Sequence, residues 1–131
     1  MTTTDGTTPA PAITDTVDAH LAAYGEPDPI RRSTLIASVW APQGALVDPP
    51  LDRAAGHGGL DALFAAVQSH YPGHTFRRTT DVDRHHEYAR YGWEMVAPDG
   101  AVALSGTDVV ELAADGRLVR VVGFFGDLVP V

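Results

Sequence analysis

The apolar positions of this chain change period once. Up to residue 71 they recur every three or four residues: Val17, His20, Leu21 and Tyr24, then Leu35, Ile36, Val39 and Trp40, then Leu60, Leu63, Phe64, Val67 and Tyr71. Such spacing puts each set on one face of a helix. Thr14 can cap the first helix, and Asp28-Pro29 opens the second in the order of cap and first-turn proline. Gly25 to Pro27, Pro42-Gln43-Gly44 and Pro72-Gly73 end the three helices in turn. Between the second and third, residues 45 to 48 predict a short strand and residues 49 to 59 a loop rich in Pro and Gly.

Beyond residue 74 the pattern becomes extended. Thr75 to Thr80, His86 to Ala97, Ala101 to Leu112 and Arg117 to Phe125 predict four strands. Pro98-Asp99-Gly100 and Asp115-Gly116 separate the last three, and Asp-Gly between apolar runs is a strong hairpin signal. Helices followed by an antiparallel meander make an α+β domain. Alternation sets Asp108 on the side of Gly106, Val110 and Leu112, so an acid lies on an apolar face. In the longest strand Tyr88, Arg90, Gly92 and Glu94 oppose Ala89, Tyr91, Trp93 and Met95, and in the last one Val119, Val121, Gly123 and Phe125 share a side. Large groups on both sides of the longest strand predict contact with a second subunit.

Composition narrows the function. At 131 residues the chain is one domain with a core of its own, read as residues 14–128 behind a Thr/Pro-rich disordered tail at 1–13. With no cysteine, disulfides, thiolate metal sites and cysteine nucleophiles are excluded. The 17 acidic against 9 basic residues give a net charge of -8, which disfavours nucleic acid and anionic membrane surfaces as partners. The N-terminus lacks the basic and apolar regions of a secretory signal, so a cytoplasmic setting is expected.

Candidate chemistry centres on the stretch Trp40 to Gly59. Asp48 follows the apolar run Ala45-Leu46-Val47 and precedes Pro49-Pro50, which stiffens the backbone beside the carboxylate. Asp48 can hold a reactive acid still, or it can simply start a turn. Asp108 can serve as a buried acid, or it can pair with Arg90 on a neighbouring strand. His20 can reach a site, or it can be a core histidine satisfied by a backbone carbonyl or water. His57, His70, His74, His85 and His86 show no metal-ligand spacing, and adjacent His85 and His86 point to opposite sides of a strand, so no metal site is expected. The glycine-rich GHGG at 56 to 59 lacks the preceding strand and following Lys of a phosphate loop.

The layout of Asp48-Pro49 after the second helix, RYGW in a long strand and DGRLVRVVGFFG at the end resembles the nuclear-transport-factor-2-like superfamily. Within it the chain is similar to SnoaL-like proteins, a group that includes polyketide cyclases, ketosteroid isomerase and limonene epoxide hydrolase. The resemblance spans residues 14 to 128 and implies a conical α+β barrel, with three N-terminal helices packed in a strongly curved, mainly antiparallel sheet. It also implies an apolar pocket and a homodimer formed through the outer sheet face. By the ketosteroid isomerase pattern, Asp48 matches the general base and Asp108 the protonated acid of the oxyanion hole. The family's tyrosine donor falls on His20, with Tyr24 one turn later. The epoxide hydrolase pattern keeps Arg90 but has Gly92 and Gly123 at its acid positions, so that water-activating triad is absent.

The expectation is therefore a cofactor-independent isomerase or cyclase for a hydrophobic, polyketide- or terpenoid-like carbonyl compound. Asp48, Asp108, His20 and Arg90 are its candidate catalytic residues. Tyr24, Trp40, Leu63, Tyr88, Gly92, Val121, Gly123 and Phe125 are its candidate ligand contacts. The alternatives are a non-catalytic protein that binds an apolar ligand and a structural dimer of the same fold.

Overall fold

The structure is a computed structural model that describes residues 12–131. The helices are α1 (Ile13–Tyr24), α2 (Pro29–Val39) and α3 (Gly56–His70). The strands are β1 (Trp40–Val47), β2 (Ala54–Ala55), β3 (Thr75–Arg78), β4 (Asp83–His85), β5 (Tyr88–Val96), β6 (Val102–Leu112) and β7 (Leu118–Phe125). The strands form one sheet in the order β2-β1-β7-β6-β5-β3, with β4 also paired to β5. All pairings are antiparallel except β1 with β7, so the sheet is mixed. It curls around the three helices and does not close, which is the conical α+β architecture expected.

Local chemistry sets the helix ends. Asp28 Oδ1 accepts from the backbone amides of Ile30 (2.8 Å) and Arg31 (3.3 Å), and Pro29 occupies the first turn. The first helix begins at Ile13 with Ala12 as its N-cap and no side-chain cap, so Thr14 lies inside it. The rest of the expected tail, residues 1–11, lies outside the described residues. The second helix stops at Val39, one residue before the sequence pattern predicts, because Trp40 turns extended (φ -105, ψ 134) and starts β1 directly. Its indole folds back over Gly44, where any side chain would collide with the ring, and the β1–β7 register slips between Trp40 and Ala45. The third helix starts four residues before Leu60, and its C-cap Tyr71, expected on the buried face, is 48% exposed.

The core lies between the helices and the concave face of the sheet. Val17 and Leu21 from α1, Ile36 from α2, Leu60 and Phe64 from α3, and Leu46, Val110 and Val121 from the sheet are among its buried apolar members. The buried Arg32 ties α2 to α3 through Asp61 (2.8 Å) and donates to the carbonyl of Glu26 (3.0 Å). Among the described residues no helix is long and apolar enough to cross a membrane.

Replacing Asp28 by Ala removes the cap of α2 without touching the core. Urea unfolding is expected to show a loss of about 1 kcal/mol with an unchanged m-value.

Candidate active site

Gly123 is the point at which the chain brings two acids together. Parallel pairing sets Val47 beside Val122, which carries Asp48 over Gly123, and antiparallel pairing sets Asp108 directly opposite Gly123. A Cβ on Gly123 would overlap Asp48 Oδ1 and lie 3.1 Å from Asp108 Oδ1. The space left free by Gly123, a candidate ligand contact in the sequence, is occupied by the Asp48 carboxyl.

Each acid is held by a tyrosine. Tyr24 Oη donates to Asp48 Oδ2 at 2.6 Å, and Tyr91 Oη donates to Asp108 Oδ2 at 2.7 Å. Asp108 is buried and Asp48 half-buried, and Asp48 Oδ1 has no full hydrogen bond. Both acids face a cavity of about 250 Å³ whose walls are mainly apolar and include Tyr24, Leu63, Phe76 and Trp93. The exposed Pro50, Leu51, His70 and Tyr71 form its rim.

Burial makes the acids unequal. It pushes Asp108 up to about 7, opposed by the Tyr91 hydrogen bond and reinforced by the charge of Asp48. Burial also raises Asp48, but the Tyr24 hydroxyl and the Gly123 amide draw it back. Burial, with the charge of the adjoining acid, raises both tyrosines well above the ordinary phenol value, so they stay hydrogen-bond donors. Near neutral pH the arrangement therefore offers one carboxylate able to accept a proton beside one carboxyl able to donate.

Of the sequence candidates, Asp48, Asp108, Tyr24, Leu63 and Phe125 line this cavity. Gly123 lies beneath it. His20 does not line it: the ring is fully buried behind Tyr24, at 5.7 Å between centroids, and Nδ1 accepts from Trp40 Nε1 at 3.3 Å. Burial lowers its pKa to about 3 from 6.5, so His20 stays neutral, and its contribution to stability is lost as pH falls below 6.5. Trp40 and Val121 are buried core residues away from the cavity wall.

Arg90, Tyr88 and Gly92 require a larger correction, because all three lie on the outer face. Arg90 pairs with Asp83 at 2.8 Å, with both side chains mostly exposed, and Tyr88 is 43% exposed. A Cβ on Gly92 would strike Thr79 Oγ1, so this glycine admits the crossing chain at Thr79-Thr80 rather than a ligand. The reason is a one-residue slip. Counting straight back from the Val96–Val102 pair sets Arg90 opposite Asp108, but the register shifts between Met95 and Val96 and sets Tyr91 there instead. Sequence reasoning thereby missed Tyr91 and Trp93. Composition carried a signal: Ala89, Tyr91, Trp93 and Met95 hold no charge, whereas the opposite alternation holds Arg90 and Glu94.

His85 and His86 do converge, contrary to the expectation that adjacent residues diverge. His86 adopts φ 53, and the two Nδ1 atoms lie 3.1 Å apart on the exposed surface. Among the described residues no three metal-ligating side chains cluster.

No family model and no curated protein matches the chain. Solved structures do. A candidate isomerase of the SnoaL-like family from Agrobacterium tumefaciens is 36% identical, with 88% of this chain and 95% of that one covered and a TM-score of 0.79. At lower identity the likeness is one of fold. A candidate SnoaL-like polyketide cyclase from Jannaschia is 14% identical over 92% of this chain and 91% of that one, with a TM-score of 0.63. A Catenulispora acidiphila protein with a ketosteroid isomerase-like fold, in complex with trimethylamine, is 12% identical over 90% and 88%, with a TM-score of 0.67.

The raised pKa of Asp108 has a thermodynamic signature. The folded protein keeps a proton that the unfolded chain releases near 3.8, so the stabilisation is full below that value and is lost as pH rises through about 7. Asp108→Asn keeps the shape and an acceptor for Tyr91. Thermal unfolding is expected to show this variant gaining on the wild type between pH 4 and pH 8.5, and a constant difference would contradict the burial-driven shift.

Proposed function

Because the chain belongs to the SnoaL-like family, we propose that its cavity carries out cofactor-independent isomerisation or cyclisation of an apolar carbonyl compound by acid–base chemistry. The observation that carries this reading is the pair of electrostatically unequal carboxyls above Gly123 in an apolar cavity. Asp48, ionised and anchored through Oδ2 to Tyr24, takes a proton from the carbon next to the carbonyl. The C–H electron pair moves into the bond to the carbonyl carbon, and charge builds on the carbonyl oxygen. Asp108, protonated and anchored to Tyr91, donates a hydrogen bond to that oxygen. A donor so placed in a dry site contributes about 3 to 4 kcal/mol. The proton then returns at a different carbon, giving an isomer, or the enolate carbon attacks a second carbonyl carbon of the same ligand, giving a ring.

Exchange of carbon-bound hydrogen for deuterium in a panel of flat cyclic ketones, followed by NMR, tests this directly. Wild type is expected to accelerate exchange, with a rate that falls as pH rises through the Asp108 value of about 7. Asp48→Asn is expected to lose about 100-fold or more. Full exchange activity in Asp48→Asn would remove Asp48 from the role of base.

We also propose that the protein is a homodimer through the outer face of β5, β6 and β7. Arg90, Val109 and Val122 are in register there, Val109 is 40% exposed, and Phe124, two pairs further along the ladder and so on the same face, is 56% exposed. Such apolar exposure on a sheet face suits a second copy of the chain. Sedimentation is expected to show dimers for wild type and monomers for Val109→Glu. A wild type that sediments as a monomer at micromolar concentration excludes this interface.

A further inference from the structure

Trp93 is 5% exposed, yet its Nε1 is buried without an acceptor. Leaving such a donor unmatched is destabilising, so a buried N–H at a cavity wall points to an acceptor that arrives with a ligand. The tyrosine hydroxyls near the cavity are already engaged. Tyr24 and Tyr91 donate to the two acids, and the second indole, that of Trp40, donates to His20 away from the cavity. The indole of Trp93 is a donor the site has not used.

Packing fixes its direction. Trp93 lies on the inner face of β5 directly opposite Gly106. A Cβ on Gly106 would lie 2.6 Å from the indole Cζ2 and 2.9 Å from Cε2, the atom that carries Nε1, so the ring lies flat over this glycine. Phe125 meets the ring edge-on at 5.9 Å and Phe76 lies at 6.1 Å. Held on these sides, Nε1 is beside the Asp108 carboxyl, close enough to lower its pKa although it forms no full hydrogen bond to it. Two donors, one an acid and one an indole, thus converge on one part of the cavity wall.

We propose that the Trp93 indole N–H and the Asp108 carboxyl together form a two-donor site for a ligand oxygen, so the cavity selects flat ketones and phenols over hydrocarbons of the same shape. The inference rests on the reading of Asp108 as a donor but does not require turnover. It places the second donor on β5, whereas the family resemblance implied His20 on α1. It also gives Gly106 a role, since a side chain there would displace the indole.

The test uses 2-naphthol and naphthalene, which differ by one oxygen. With only two tryptophans in the chain, ¹⁵N-labelled wild type has two indole N–H signals. On titration with 2-naphthol below pH 7 the Trp93 indole proton is expected to move downfield and that of Trp40 to stay. Naphthalene is expected to move neither in this way. Trp93→Phe, which keeps a ring and loses the donor, is expected to weaken 2-naphthol about tenfold and naphthalene by less than about twofold. Equal affinity of wild type for both ligands, equal shifts with both, or equal weakening of both in Trp93→Phe would overturn the proposal. If Trp93→Phe fails to fold, the wild-type titration decides alone. Retained 2-naphthol selectivity in a protein without ketone exchange would reject the proposed reaction and leave the oxygen site standing; exchange without selectivity would do the reverse.

Discussion

Two carboxyls share the space above a single glycine, and the rest of the site follows from that crowding. Bringing like charges together in an apolar cavity disfavours ionising both. None of the nine basic residues, all of them arginines, lines the cavity to neutralise the pair. The tyrosines resolve the conflict by donating one hydrogen bond to each acid, which keeps the carboxyls oriented while leaving their Oδ1 atoms toward Gly123. A site built in this way sets two unequal acids side by side near neutral pH.

Glycine in the sheet makes room for large groups to cross it. Gly44 receives the Trp40 indole, Gly106 the Trp93 indole and Gly123 the Asp48 carboxyl. Each weakens its strand slightly by leaving no side chain to pack, and each permits a close approach that any Cβ would block. Two of these three positions shape the cavity. Aromatic rings then supply both its apolar wall and its fixed directions, with Tyr24 stacked between Phe64 at 4.3 Å and Phe76 at 4.7 Å.

The histidine and arginine that looked chemical in sequence are explained by ordinary packing. His20 is one turn away from Tyr24 on the same face of α1, and the difference of a turn decides which side chain reaches Asp48 and which remains in the core. Arg90 has its carboxylate partner in Asp83 of the adjacent short strand, at the surface, where an ion pair contributes little to stability.

Periodicity, caps and turn residues, all local features, determined the three helices, the hairpins of the last three strands and hence the α+β class. They also singled out Asp48, stiffened by the prolines that follow it, and Asp108, an acid on an apolar alternation. Tertiary structure alone decided which partners those acids meet. The parallel pairing of β1 with β7 joins segments some 75 residues apart and brings Asp48 over Gly123, a juxtaposition no local pattern encodes. The slip between Met95 and Val96 decides that Tyr91, rather than Arg90, stands beside Asp108. Side chains alternate with a period of two along a strand, so one extra residue in a hairpin exchanges the inner and outer faces, and whether that residue is inserted depends on how the whole sheet packs on the helices.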